Sequence, residues 1–314
     1  MLNRRHIRIK VMQIIYGFKG TESDDLKLQE QFLLKSMESM YDLYLLLLSL
    51  LIEVQLKAED YLTKSQKKHL ATQKEKNPSY NFVNNKALAL IKENSLLSKT
   101  LEARKIQNWK LDNEYVEIIF KSLISSGIYE KNMLKMETSF NEDREFLLAM
   151  FKKIVAPSEK LYEYFEDKNI TWIDDLPVVN TFMVKVIKNL DQEMPENKLL
   201  PELFKDDEDK EFGIELLNKT LLNLSQLNEE ISNKTTNWDK DRIANVDLVL
   251  LQMAIIEFQK FPSIPVKVTI NEYLEIAKEY STPKSSVFIN GILDKLVKEL
   301  EAKGTLNKSG RGLM

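Results

Sequence analysis

Turn-forming residues are scarce in this chain of 314 residues, with eight glycines and eight prolines, under half of the roughly 12% that average usage supplies. Sandwiches and propellers, which need a turn about every 8–12 residues, are excluded on that ground. A doubly wound nucleotide fold is excluded too, because the glycines at 17, 20, 127, 213, 291, 304, 310 and 312 form no phosphate-cradling turn ahead of a helix. Cysteine is absent and His6 and His69 are the only histidines, so neither a disulfide framework nor a structural zinc site is expected, and the expected compartment is cytoplasmic. Long hydrophobic runs are missing as well. The longest, Leu43 to Ile52, lies between Asp42 and Glu53 and is far short of the roughly 20 residues a membrane helix needs. It reads as a buried helix. The N-terminus is basic but has neither an uninterrupted apolar stretch nor a small-residue cleavage site, so no secretory leader is expected.

What remains is 43% apolar and rich in Leu, Lys, Glu and Ile, which predicts an all-α protein with short loops and a sizeable core. Ile7, Val11, Ile14, Ile15 and Phe18 form one stripe of an amphipathic first helix, ended near Gly17 and Gly20, with Arg4, Arg5 and Arg8 off that stripe. A long helix is predicted from cap candidates at Ser23-Asp24-Asp25 to about residue 73, before the break at Asn77-Pro78. Residues 57–110 are lysine-rich and irregularly apolar, and read as an exposed helical pair or arm. The acidic run 206–209 reads as a linker or as the first turn of a helix. Helices are predicted at about 210–231, 239–259, 267–280 and 284–301, and 304–314 reads as a flexible tail.

The net charge of −3 conceals an asymmetry. Residues 1–20 carry five basic side chains and no acid, and residues 53–110 hold 12 basic against 6 acidic, whereas residues 137–230 hold 11 against 22. The basic segments suggest a polyanionic partner, with solvated helix faces as the plain alternative. At an offset of 66 residues Phe146/Phe212, Lys153/Lys219, Leu161/Leu227, Glu163/Glu229, Lys168/Lys234, Trp172/Trp238 and Asp175/Asp241 coincide without gaps. This suggests that 140–200 is a partial duplicate of the entry to the final bundle. If so, the two stretches must fold alike.

No catalytic constellation emerges. Carboxylate pairs such as Asp174-Asp175 and Asp206-Asp207 suit acid–base or magnesium chemistry in principle, but 48 acids in one helical chain produce such pairs by chance. The two histidines read as surface residues, and Trp109, Trp172 and Trp238, at helical spacing among aliphatics, read as core. No catalytic residue, metal site or cofactor is expected.

The N-terminal Arg4-Arg5-x-x-Arg8-x-x-x-x-Gln13-x-Ile15-Tyr16 resembles the opening of the NusB family of bacterial transcription antitermination factors. Trp238-x-x-x-Arg242-Ile243 followed by Val246-Asp247, Leu251, Ala254 and Glu257-Phe258 resembles that family's central helix. Three signatures follow in the family's order: Ile264-Pro265-x-Lys267-Val268-x-Ile270-Asn271-Glu272, Glu275-Ile276-Ala277-Lys278 and Phe288-Ile289-Asn290-Gly291-Ile292-Leu293-Asp294. The resemblance covers about 1–45 and 206–303, leaving 46–205 as a helical insertion. It implies an all-helical bundle that binds single-stranded boxA-type RNA jointly with the ribosomal protein NusE in the RNA polymerase antitermination complex, without catalysis, cofactor or membrane; a homo-oligomer is compatible with it.

Lys and Arg meet phosphates while bases stack on aromatic or guanidinium planes, so Arg4, Arg5 and Arg8 at the mouth of the first helix are the first RNA-binding candidates. The resemblance adds Lys10, Tyr16 and Phe288, and Lys267 stands where a helix N-terminus meets a phosphate. Ile9, Gln252 and Ile256 depart from the family pattern. Two alternatives stand beside this reading. One is a protein–protein scaffold with little RNA contact. The other is a fused RNA-modifying enzyme, disfavoured because its glycine-rich cofactor loop is missing.

Overall fold

The structure is a computed structural model and describes residues 1–18, 25–69, 72–234 and 243–304 together with 306 and 308. It is all helical among the described residues. In chain order the helices are α1 (Arg4–Phe18), α2 (Leu26–Gln66), α3 (Gln73–Lys76), α4 (Lys86–Lys92), α5 (Ser95–Ala103), α6 (Asn108–Leu111), α7 (Asn113–Ile124) and α8 (Gly127–Met133). They continue as α9 (Phe140–Met150), extended by a wider turn over Phe151–Val155, then α10 (Glu159–Lys168), α11 (Thr171–Lys188), α12 (Asp207–Leu222), α13 (Leu224–Lys234), α14 (Asn245–Lys260), α15 (Val266–Tyr280) and α16 (Ser285–Ala302). The expected features at Gly20, Ser23-Asp24, Trp238, Asp241 and Arg242, and most of the tail beyond 304, lie outside the described residues. Two compact units result, one of Met1 and Glu38–Glu202, the other of Leu2–Met37 and Leu203–Met314.

The first unit is organised by α2. Its apolar run is buried from Leu43 through Leu51. This helix carries a window long and apolar enough to cross a membrane, and 67% of that window is buried inside the protein, as in a core helix. Two tryptophans donate their indole N–H groups to its backbone, Trp109 to the Leu46 carbonyl at 3.0 Å and Trp172 to the Ser39 carbonyl at 2.8 Å. Residues 57–110 depart from the expected exposed arm: Leu88, Ile91, Leu97 and Trp109 are buried. The apolar pattern looked irregular because the chain restarts its helices there. Asn85 accepts from the Leu88 N–H at 2.9 Å and Asn94 from the Leu97 N–H at 2.8 Å, each capping a new short helix.

In the second unit α14 is central and buried on all sides from Val249 to Phe258. Helices α1, α12, α13, α15 and α16 pack on it. The 206–209 run is the first turn of α12, with Asp206 accepting from the Asp209 N–H at 3.0 Å. Helix α1 also differs from expectation. It packs against α12, α14 and α15 together, so Ile7 to Met12 are all buried and Arg8 lies inside rather than off the apolar stripe.

At the offset of 66 the helices of the two stretches can be set side by side. Helix α9 with its extension corresponds to α12, and α10 to α13. Buried Asp143, Phe146, Leu147, Met150, Phe151, Ile154, Val155, Leu161 and Phe165 stand against buried Asp209, Phe212, Gly213, Leu216, Leu217, Thr220, Leu221, Leu227 and Ile231, whereas buried Leu148 and Tyr164 stand against half-buried Ile214 and Glu230.

Candidate nucleic-acid interface

Helix α1 starts where it does because Asn3 caps it: Asn3 Oδ1 accepts from the His6 N–H at 3.0 Å, and His6 Nδ1 accepts from the Asn3 N–H at 3.4 Å. The first two turns then present three arginines to three acids. Arg4 Nε meets Asp209 at 2.8 Å. Arg5 forks onto Glu272 at 2.7 and 2.8 Å, and Arg8 forks onto Glu257 at 2.9 and 2.7 Å. Glu257, fully buried, also accepts from Thr269 Oγ1 at 2.7 Å and from the Tyr273 hydroxyl at 3.2 Å. The guanidinium groups of Arg4 and Arg8 lie 5.2 and 5.0 Å from the centre of the Phe212 ring, a cation–π arrangement that adds to their anchoring.

The electrostatics follow from this pairing. Burial opposes the charge of Arg8, but the Glu257 carboxylate outweighs it and holds the pKa above the ordinary value. Hydrogen bonding to Glu272 raises Arg5, and the same fork lowers Glu272. His6 is held below 6.5, chiefly by burial and then by the charge of Arg5. Its neutral form therefore suits the fold, and it contributes stability above about pH 6.5 that is lost as the pH falls through its lower folded value. Urea midpoints followed from about pH 8 to about pH 5 are expected to fall more steeply in the parent than in His6→Asn. Parallel curves would show that His6 does not titrate in this way.

A cavity of about 470 Å³ opens at this end of α1, lined by Asn3, Arg4, Arg5, His6, Arg8, Ser263, Ile264, Pro265, Val268 and Glu272. Arg4 and Arg5 keep over a third of their side chains exposed, whereas Arg8 keeps 2%. Lys267 is exposed in the first turn of α15 and is not among the residues that line the cavity. The other candidates are elsewhere: Lys10 is buried, Tyr16 is 49% exposed three turns along α1, and half-buried Phe288 is on α16. Sequence reasoning treated His6 as a plain surface residue and overlooked Asp209, Phe212, Ser263, Thr269 and Tyr273. A larger cavity of about 710 Å³, between α13 and the ends of α14 and α16, contains none of the motif residues.

The NusB family matches residues 179–298. Transcription antitermination protein NusB of Salinibacter ruber is 42% identical over 112 residues, 36% of this chain and 70% of that protein. The chain belongs to the NusB family. The proteins of the same name from Chloroherpeton thalassium and Natranaerobius thermophilus are both 44% identical, over 105 and 85 residues. These are 33% and 27% of this chain, and 50% and 61% of the relatives' own lengths. No solved structure matches. The NusB match covers α12 to α15, runs into α16 and therefore includes all three acids, Asp209, Glu257 and Glu272, that hold the arginines of α1. The signatures resembling the family at the two ends of the chain are thus halves of one ion-pair network with the buried Arg8–Glu257 pair inside it.

Proposed function

We propose that this NusB-family chain is a transcription antitermination factor that binds single-stranded boxA-type RNA together with NusE in the RNA polymerase antitermination complex, and so supports ribosomal RNA transcription in the cytoplasm. The observation that carries the proposal is the cavity at the start of α1. Two half-exposed guanidinium groups and the N-terminal end of a 15-residue helix face an apolar wall of Ile264, Pro265 and Val268. Phosphate oxygens suit the first two, and an unstacked base suits the wall. Arg4, Arg5 and Lys267 are the contacts in this reading, and buried Arg8 and Lys10 position α1. Tyr16 and Phe288 are left as sites for the protein partner.

The test is fluorescence anisotropy of a labelled boxA-type RNA against a scrambled RNA, with and without NusE. Preference for boxA that tightens with NusE is expected. Arg5→Ala should weaken binding by about tenfold or more, the range for a hydrogen bond to a charged group. Equal binding of both RNAs in both conditions would overturn the proposal. One observation favours the scaffold reading: Arg4, Arg5 and Arg8 each already hold an acid of their own protein. That reading requires NusE to bind equally well with and without RNA.

A further inference from the structure

The sequence predicts a flexible tail after α16, yet Lys308 is docked on the second unit. Its ammonium group donates to the main-chain carbonyls of Glu257 and Phe261, each at 2.9 Å. It also lies 6.0 Å from the centre of the Phe258 ring. The last four carbonyls of a helix have no intrahelical amide to accept, and Glu257 is the first of that set in α14. A lysine at this end satisfies such carbonyls and suits the negative pole of the helix. Burial lowers the pKa of Lys308, as for an ammonium group drawn out of water. The cap arrives from 51 and 47 residues along the chain rather than from α14 itself, and Lys308 lies beyond the stretch that the NusB family matches.

The residues that own these two carbonyls tie Lys308 to the cavity at α1, all within one unit. Glu257 is the residue whose carboxylate takes the Arg8 fork. The Phe261 carbonyl also accepts from the Ile264 N–H at 3.2 Å, so one oxygen closes the turn between α14 and α15 and receives the ammonium group. Ser263, Ile264 and Pro265, the residues of that turn next along the chain, wall the cavity. The Phe261 ring meets the Phe212 ring edge-on, with 5.4 Å between centres, and Phe212 is the ring beneath the guanidinium groups of Arg4 and Arg8. The arginine end of α1 and the apolar wall thus both rest on the turn that Lys308 holds.

We infer that Lys308 is a positioning residue for the RNA cavity: held on the Glu257 and Phe261 carbonyls, it fixes the α14–α15 turn in the shape that presents Ile264 and Pro265 to an unstacked base. The inference rests on the RNA-binding reading above. Lys308 acts through the turn rather than on the RNA, because two of its three N–H donors are already taken by the protein.

The experiment measures binding of the boxA-type RNA at several salt concentrations to the full chain as parent, Lys308→Met, Lys308→Arg and Ser281→Ala, with an unchanged far-ultraviolet spectrum verifying the fold of each. Lys308→Met is expected to weaken binding by about fivefold, inside the range by which residues away from a ligand modulate its affinity, with the salt slope unchanged. A guanidinium group offers several N–H donors to the same carbonyls, so Lys308→Arg should regain most of the affinity. Ser281→Ala removes a hydrogen bond to Asp247 at the opposite end of α14; it controls for a general loosening of that helix and should leave the affinity within about twofold. Unchanged affinity in Lys308→Met would overturn the inference and leave the RNA reading standing. A salt slope flattened by about 0.7 would do the same, since that is the loss of one phosphate contact and makes Lys308 an RNA ligand instead. The inference also falls if Ser281→Ala or Lys308→Arg is as weak as Lys308→Met. A parent that binds neither this RNA nor a scrambled one overturns the RNA reading, and the inference with it.

Discussion

Arg8→Ala is expected to destabilise the protein by about 3–5 kcal/mol, the range for breaking a buried ion pair by removal of one partner. The reason lies on the acid. Glu257 is fully buried and takes two of its hydrogen bonds from Arg8; without the guanidinium its charge keeps only the hydroxyls of Thr269 and Tyr273. Those two donors do not neutralise a carboxylate in a dry interior. Arg8→Lys should lie between parent and alanine, because a single ammonium supplies charge but not the planar fork. Urea denaturation measures all three, and a loss under about 1 kcal/mol for the alanine variant would mean that the pair does not anchor α1. A double variant, Arg8→Met with Glu257→Gln, is expected to recover part of the loss, since no unpaired charge remains inside.

This expectation inverts what the charge pattern alone suggested. Arg4, Arg5 and Arg8 look alike in the sequence, and an arginine is almost always at the surface unless paired. What separates them is the identity of their acids, which lie 205, 267 and 249 residues away. No local periodicity encodes such a pairing. The helices themselves were legible, because scarce glycine and proline with apolar residues three and four apart leave few alternatives. The short helices of 86–111 were not, because their starts depend on Asn85 and Asn94 acting as caps, and asparagine occurs as readily in loops. Five of the seven identities at the offset of 66 fall in α9, its extension and α10 on one side and in α12–α13 on the other. Their register became clear only from the buried positions, most of which carry different apolar residues in the two stretches, such as Phe151 and Leu217.

The placement of α1 depends equally on a residue with no side chain. At Gly213 on α12 an added Cβ would stand 2.8 Å from Ile7 Cγ2 and 3.1 Å from Met37 Cε. In an open helix, Gly→Ala gains up to about 1 kcal/mol of helix propensity. Here that gain meets a clash that the β-branched Ile7 cannot turn away from, while the flexible end of Met37 can. Gly213→Ala is therefore expected to lose the propensity gain, and Gly213→Val, with two further methyl groups, to cost about 3 kcal/mol by overpacking. Ile7→Ala removes the clashing methyl, so in the Gly213→Val background it should cost less than it does alone, with a coupling of about 0.5–3 kcal/mol. Additive costs in that double variant, or a Gly213→Val protein as stable as the parent, would show that α1 does not need this close approach. Because Ile7 adjoins Arg8, the same variants should weaken RNA binding wherever they shift α1, whereas an equally destabilising change in the first unit, such as Leu97→Ala, should leave the affinity of the folded protein for boxA-type RNA intact.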